Sequence, residues 1–485
     1  MPDPGRRAFF KSFSRQAFNA AAQVVGVTNA VTKATTNVAV GVVGLAVNPD
    51  AAAEKLAAAP VQPGRLPAPP AGAADTPGGQ IARHKNPYRL MGDQLFLLDQ
   101  RGLPDRLDEQ VCRRGSDVAF YMRVMAVRGG PLMGQLAAYG LALTAREFTG
   151  RTWHARQAEW KRVCRALIAA RPASRMLRFA VDRMTAIHAT YGPDADPVAV
   201  ADELRKQADA QAMESQLDHA TIARTLASLL PRPAGRPLQL LVHGAPGTST
   251  GGYIGTGLNA IALVAQESVP IKVWVTETRP YFEGARLATW ELAPTGADVT
   301  VLPDSAVGYL LDHETIDAVI LGAEWIAANG DTSAIIGSRV VAELAALARR
   351  GPVPVFVAAP ATTIDPAMAD GDAMPSEMRP GRDIMAHLSG WKVERPNGYL
   401  PTADVVPAAR ITTLVTEQGA IAPEPAALAA ALAARTARRA VVGPAYQPPA
   451  PVTASAADDG PPTPDGRAPG SPDDDDEDED PEASA

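Results

Sequence analysis

The sequence predicts an α/β protein, because two regions of the chain differ in their pattern of apolar residues. From residue 236 to 442, short β-branched runs alternate with helical patterns such as "SRVVAELAALARRG". This alternation is typical of a parallel sheet covered by helices on both faces. From 86 to 235, the chain opens on the strand-like "QLFLLDQ" and is then mainly helical. We therefore expect a helical N-terminal domain over 86–235 and a parallel-sheet domain over 236–442, whose strands are "LQLLVH", "IKVWVTE", "DVTVLP", "DAVILGA", "VPVFVAA" and "ITTLVTE".

The segments outside these domains differ in composition. Residues 49–85 are rich in Ala, Pro and Gly, which predicts a flexible linker. Residues 443–485 end in "DDDDEDED" and carry too little apolar surface to fold, so we expect a disordered acidic tail. Residues 1–48 place apolar side chains on one helical stripe, which favours an amphipathic segment that docks on a protein or a membrane surface. The twin-arginine pattern "RRAFFK" leaves an export signal open, and an ordinary flanking segment is the third interpretation.

Charge and cysteine content narrow the function classes. The 485-residue chain has a net charge of −7, much of it from the acidic tail, so the body is near neutral. Binding to nucleic acid by bulk charge is therefore not expected. The two cysteines, Cys112 and Cys164, lie in helix-like patterns, and no C-x-x-C or H-E-x-x-H motif occurs. We expect no metal site and a reducing, cytoplasmic location.

The predicted strands end in polar residues and glycines, where a parallel sheet binds its ligands. His243 and Gly244 follow one strand, and Glu324 follows another. The loop from Gly247 to Gly257 contains five glycines, whose composition predicts a cradle of backbone donors. Its "GTGLNA" matches a dinucleotide-binding pattern, but it begins twelve residues after His243 rather than directly after the strand. We therefore expect no cofactor.

A second candidate site lies in "MAVRGGPLMG". Arg128, Gly129 and Gly130 precede Pro131, which suits the first turn of a helix. An arginine beside a helix start is an anion site by its donors and charge, and a plain loop-to-helix junction is the alternative. "ARPASRML" repeats the arrangement with Arg171.

Six motifs occur in one order over about residues 90–425, namely "VRGGPLMGQLAAYG", "ARPASRMLRFAVDRM", "VHGAPGTSTGGYIGTGLNAI", "VTETRPYFEGARLATWEL", "GAEWIAANGDTSAIIGS" and "VFVAAPATTID". In this order they resemble methylthioribose-1-phosphate isomerase and its relatives, ribose-1,5-bisphosphate isomerase and the regulatory subunits of translation initiation factor two-B. The resemblance implies a small helical N-terminal domain, a Rossmann-like C-terminal domain and a homodimer built through the latter. It also implies a phosphorylated sugar or a nucleotide as ligand.

The resemblance carries over unevenly to single residues. The family's phosphate-binding Arg-Gly-Ala appears as Arg128-Gly129-Gly130, and Arg171 matches the arginine of its Arg-Pro motif. Gly247 belongs to the matching glycine-rich loop. The isomerases' catalytic cysteine is replaced by Gly244 and their catalytic aspartate by Glu324, while Glu283 replaces a glutamine that contacts substrate and Ala334-Ile335 replace an Asn-Lys pair.

These replacements leave three functional hypotheses. The first, which we favour, is a regulatory or non-catalytic protein that binds a sugar phosphate. The second is an active aldose-ketose isomerase that uses Glu324 as acid or base, with help from Glu283 or His243. The third is a scaffold with a vestigial pocket. His243 has a suitable intrinsic pKa for proton transfer, but we favour a role in orienting its loop.

Overall fold

The computed structural model describes residues 86–385 and 397–442. It opens with an antiparallel sheet of β1 (Tyr88–Met91), β2 (Gln94–Leu98) and β3 (Glu109–Cys112). The helix expected around Cys112 is therefore wrong, because "EQVC" pairs with β2 and places the Cys112 side chain in the core opposite Leu95. A four-residue strand is too short to show its period in the sequence.

Five helices follow, as the helical texture of this region predicted. They are α1 (Gly115–Arg123), α2 (Gly130–Arg146), α3 (Trp153–Ala170), α4 (Arg175–His188) and α5 (Pro197–Leu229). Asp196 begins α5, because its carboxylate accepts from the N–H groups of Val198 and Ala199. Helix α2 is buried along nearly its whole length and packs against α1, α3, α4 and α5, so it forms the centre of the helical layer.

The strands of the remaining chain are β4 (Leu238–Val242), β5 (Ile271–Thr276), β6 (Asp298–Leu302), β7 (Ala318–Leu321), β8 (Trp325–Ala327), β9 (Thr332–Ile335), β10 (Val355–Ala358), β11 (Ile364–Asp365), β12 (Met378–Arg379), β13 (Leu400–Pro401), β14 (Ala403–Val406), β15 (Thr413–Thr416) and β16 (Gly419–Ile421). The helices are α6 (Thr248–Gly251), α7 (Gly257–Gln266), α8 (Thr289–Leu292), α9 (Val307–His313), α10 (Ser338–Ala346), α11 (Arg382–Met385) and α12 (Pro425–Val442). A π turn over Gly284–Ala288 leads into α8, and short 3-10 turns lie at Ala293–Thr295, Asp304–Ala306, Ala361–Thr363, Gly371–Ala373 and Ala408–Arg410.

A seven-stranded sheet organises this part of the chain. Its order is β16-β15-β10-β7-β4-β5-β6, and every neighbouring pair is parallel except β15 with β16. The six parallel strands are the six runs expected from the sequence. From β6 to β15 they follow the order 3-2-1-4-5-6 of doubly wound sheets, which reverses direction between β4 and β7. A four-stranded sheet, β11-β8-β9-β14, and the pair β12-β13 were not anticipated.

One apolar cluster contains residues from both sides of the predicted domain boundary near residue 235. Ile222, Ala223 and Leu226 on α5 pack with Leu238 and Leu240 on β4 in one apolar cluster. The first half of α5 packs instead with α2 in the helical layer. The fold is thus α/β, while the division into two domains at this residue stays a prediction.

Several expectations concern residues outside the described ranges. These are the amphipathic segment 1–48, the linker 49–85 and the acidic tail 443–485. Among the described residues, no helix is both long and apolar enough to cross a membrane. The same residues contain no cluster of three side chains suited to hold a metal ion.

Candidate functional site

A cavity of about 130 Å³ lies at the carboxyl ends of β4 and β7, where the direction of the sheet order reverses. This edge is the usual place for a ligand in such sheets. All eight candidate residues named from the sequence line the cavity, namely Arg128, Gly129, Gly130, Arg171, His243, Gly247, Glu283 and Glu324. The fold therefore brings together side chains that are up to 196 residues apart in the sequence, from Arg128 to Glu324.

Arg128 precedes α2 and is 8% exposed. Its Nη2 forms an ion pair with the Oε1 atom of Glu283, and its guanidinium carbon lies 4.4 Å from the centre of the Tyr281 ring. Its Nε and Nη1 atoms are buried and have no hydrogen-bond partner in the protein. Arg128 thus retains two unused donors at the wall of the cavity.

Glu283 is presented by a tight turn after β5. Thr278 and Phe282 adopt φ values of 58° and 57°, which are uncommon for residues other than glycine. The carboxylate of Asp304 holds the turn by accepting from the N–H groups of Thr278 at 2.8 Å and Arg279 at 2.7 Å. Burial raises the pKa of Glu283, and the positive charge of Arg128 opposes the rise.

Arg171 is also paired with a buried carboxylate. Its Nε atom donates to Glu377, at 3.1 Å from Oε1 and 3.0 Å from Oε2. We did not single out Glu377 from the sequence, because it follows α5 by more than 140 residues and lies in a loop without periodic pattern. Arg128 and Arg171, the two arginines that line the cavity, therefore both have a glutamate partner.

His243 follows β4 and is almost completely buried. Its Nε2 atom lies 2.9 Å from the Ile336 carbonyl oxygen, which can only accept, so Nε2 carries the proton. Its Nδ1 atom lies 2.8 Å from Thr276 Oγ1 and accepts from that hydroxyl. Burial lowers the pKa of His243, so the ring is neutral at pH 7. With both nitrogens engaged, this geometry supports the loop-orienting role.

Gly244 occupies a conformation that favours glycine. Its φ is 80°, and its N–H donates to Thr278 Oγ1 at 3.1 Å. A Cβ atom at this position would lie 3.2 Å from the Cγ2 of Ile335. A side chain in place of Gly244 would therefore carry backbone strain and a close contact with Ile335.

Glu324 follows β7 and reaches α2. Its Oε2 atom is buried and has no hydrogen-bond partner in the protein. Burial raises the pKa of Glu324, and the positive charge of Arg171 opposes the rise. A Cβ on Gly130 would lie 2.8 Å from Glu324 Oε2, closer than side chains normally approach. Glycine at residue 130 thus leaves room for the carboxylate of Glu324.

Six N–H groups of the glycine-rich loop already have acceptors within the protein, so they are not free to form the cradle expected from its composition. Glu291 accepts from the N–H groups of Thr248 at 2.6 Å and Ser249 at 2.9 Å. The N–H of Gly247 donates to the Ala245 carbonyl at 2.7 Å. The N–H groups of Gly251 and Gly252 donate within the loop, and that of Gly255 donates to the side chain of Asn259 on α7. Its glycines instead allow close packing, since a Cβ on Gly247 would collide with Glu291 and a Cβ on Gly255 would collide with the backbone of Gly247.

Known proteins resemble this chain over most of the described residues. Residues 126–423 match the model of the initiation factor 2 subunit family. The chain belongs to this family. A methylthioribose-1-phosphate isomerase from Pelotomaculum thermopropionicum is 37% identical over 339 residues, which cover 69% of this chain and 90% of the relative. One from Roseiflexus sp. is 38% identical over 340 residues, covering 68% and 92%. The resemblance drawn from the motifs is confirmed.

Solved structures from the family come from both of its branches. The 5-methylthioribose 1-phosphate isomerase of Pyrococcus horikoshii has a TM-score of 0.63 and 25% identity, over 72% of this chain and 96% of that one. Subunit delta of the translation initiation factor eIF-2B from A. fulgidus has a TM-score of 0.57 and 27% identity, over 70% and 96%. Because an enzyme and a translation factor share the fold, the site must decide the function.

Proposed function

We propose that this protein binds a phosphorylated sugar or a nucleotide in the cavity without isomerising it. The observation that carries the proposal is Arg128, a buried guanidinium with two unpaired donors at the cavity wall. A buried donor without a partner costs stability, and a phosphate or hydroxyl oxygen of the ligand would satisfy it. Gly244, which stands where the isomerases carry their thiol, supplies no reactive group.

Isomerisation of an aldose phosphate needs one group to move the carbon-bound hydrogen and another to handle the oxygen proton. His243 has both ring nitrogens in hydrogen bonds, and Glu283 is paired with Arg128. Among the candidate residues, Glu324 alone has a fully buried carboxylate oxygen without a hydrogen-bond partner. One carboxylate is too few for the transfer by the isomerase route.

The second candidate function is an active isomerase that uses Glu324. The unpaired Oε2 atom and the raised pKa of Glu324 favour it, because a carboxyl with a raised pKa is better suited to act as an acid. The extra methylene of glutamate displaces the reacting oxygen by about 1 Å, however, and such a displacement can cost roughly 100-fold in rate.

The charges of the site indicate that the glutamates take up protons when an anionic ligand binds. The cavity wall carries two carboxylates, Glu283 and Glu324, and two guanidinium groups, Arg128 and Arg171, so its charges cancel when both glutamates are ionised. The pKa values of Glu283 and Glu324 are raised by burial, and an incoming anion raises them further. We therefore expect binding of a sugar phosphate to be coupled to proton uptake.

The test uses methylthioribose-1-phosphate as the probe, with calorimetry for binding and phosphorus NMR for turnover. We expect binding with an enthalpy that depends on buffer ionisation, and no ketose-phosphate signal. Arg128→Lys keeps the charge but removes the fixed fork, so affinity should fall about 10- to 100-fold. Arg232→Ala, which breaks a surface pair with Glu267, is the matched control and should bind normally. A product signal that declines in Glu324→Gln would establish the isomerase instead.

Assembly and location complete the proposal. We expect a homodimer in the cytoplasm, with residues 1–48 directed to a protein or a membrane surface. Light scattering of the full chain and of a chain lacking residues 1–48 should give the same dimer mass. If the partner is a membrane, the full chain should bind anionic vesicles and the shorter chain should not. If the partner is a protein, neither chain should bind the vesicles.

A further inference from the structure

A histidine that the sequence did not single out lies in the wall of the cavity. His219 is on α5 and is completely buried. Its Nδ1 atom lies 2.7 Å from the Ile254 carbonyl oxygen. Because a carbonyl oxygen only accepts, Nδ1 carries the proton and the ring orientation is fixed. The ring also packs on Gly251, where a Cβ would lie 3.1 Å from Nδ1.

The other ring nitrogen has no partner in the protein. Nε2 of His219 is buried and unpaired. Burial lowers the pKa of His219 to about 4, so the ring is neutral at pH 7 and Nε2 presents a lone pair. A buried acceptor left unpaired destabilises the folded state, and such atoms are uncommon in proteins. A donor from a bound molecule would remove this cost.

The other unpaired atoms of the cavity identify the kind of donor. Nε and Nη1 of Arg128 are donors that require oxygen acceptors, whereas Nε2 of His219 and Oε2 of Glu324 require donors. The unpaired hydroxyl of Ser174 can act as either. A hydroxyl group can satisfy both types, because it carries one donor and two acceptor lone pairs. An ammonium group offers donors alone and would leave Arg128 unpaired. The set is therefore complementary to a polyhydroxylated ligand.

We infer that His219 Nε2 accepts a hydrogen bond from a hydroxyl group of the ligand and so selects sugars that carry this hydroxyl over their deoxy forms. The inference rests on the proposed function, that the cavity binds a phosphorylated sugar. A site built around such an acceptor rejects the analogue that lacks the donor, because the acceptor is then left unpaired. His219 is thus a specificity residue of the binding site.

The test compares ribose-1-phosphate with its 2-deoxy and 3-deoxy forms by calorimetry. The unmodified protein should bind ribose-1-phosphate at least about 10-fold more tightly than one of the deoxy forms. In His219→Phe, affinity for ribose-1-phosphate should fall about 10-fold and the preference should disappear. His188→Phe is the matched control, since His188 is a buried histidine stacked on Trp160 that does not line the cavity.

A preference that survives in His219→Phe overturns the inference and leaves the proposed function intact. If the variant does not fold, the nitrogen-15 shift of His219 Nε2 in the unmodified protein decides, since it must move when ribose-1-phosphate is added. A resonance that stays in place while the probe binds overturns the inference. If none of the three probes binds, the proposed function fails and the inference falls with it.

Discussion

Gly130→Ala combined with Glu324→Asp tests whether the glycine at residue 130 and the glutamate at residue 324 are physically linked. An alanine Cβ at residue 130 would lie 2.8 Å from Glu324 Oε2, so the carboxylate must retreat by about 0.6 Å to reach ordinary contact. Moving a packed side chain off its preferred rotamer costs about 1 kcal/mol. Replacing glycine by alanine gains about 0.4–1 kcal/mol through the unfolded chain. In the native background the two effects nearly cancel.

In Glu324→Asp the carboxylate is one methylene shorter, so only the gain from Gly130→Ala remains. We therefore expect a coupling of about 1 kcal/mol between the substitutions in a double-mutant cycle. Urea unfolding of the four proteins at one pH measures it, provided that the slopes agree. Gly192→Ala is the control, because a Cβ there meets no atom within 4 Å. Effects that add within about 0.3 kcal/mol would refute the link between the two residues.

Three further predictions concern stability. Burial lowers the pKa values of His188 and His219 to about 4. Between pH 6.5 and 4 the unfolded chain therefore binds more protons than the folded one. The free energy of unfolding should fall by about 3 kcal/mol per histidine as the pH drops across this range. In urea unfolding at several pH values, His188→Phe should remove the contribution of His188 to this pH dependence. An unchanged pH dependence would contradict the lowered pKa of His188. Glu291→Gln should lower the free energy of unfolding by about 1.5–3 kcal/mol, because it weakens the bonds to the loop N–H groups, and increased hydrogen exchange at 248–249 should accompany the loss. Gly284→Ala should cost about 3 kcal/mol or more, since its Cβ would collide with the Thr276 carbonyl oxygen, whereas Gly308→Ala should be tolerated.

The sequence was informative where one physical cause dominates a segment. Parallel strands that are buried on both faces are read as apolar runs, so all six were found. Residues that follow strands meet at one sheet edge, and the candidates after β4, β5 and β7 therefore share a cavity. The candidates that stand beside α2 and α4 reach the same cavity from the helical layer, which no local pattern could show. Local patterns could not show the pairing of Arg171 with Glu377, which are 206 residues apart. They also could not show that Glu291, from a separate helix, accepts the donors of the glycine-rich loop.

The buried polar groups of the cavity are better explained by a binding role than by decay of the site. A vestigial pocket has no reason to retain buried polar atoms without partners, since each costs about 1–3 kcal/mol in a protein of typical stability near 5–15 kcal/mol. Arg128 and His219 nevertheless keep such atoms at the cavity wall. Gly130 leaves the space that Glu324 fills, so the replacements fit one another. A scaffold without a ligand would be stabilised by replacing these groups with apolar ones, and the retained groups therefore argue for binding as the function under selection.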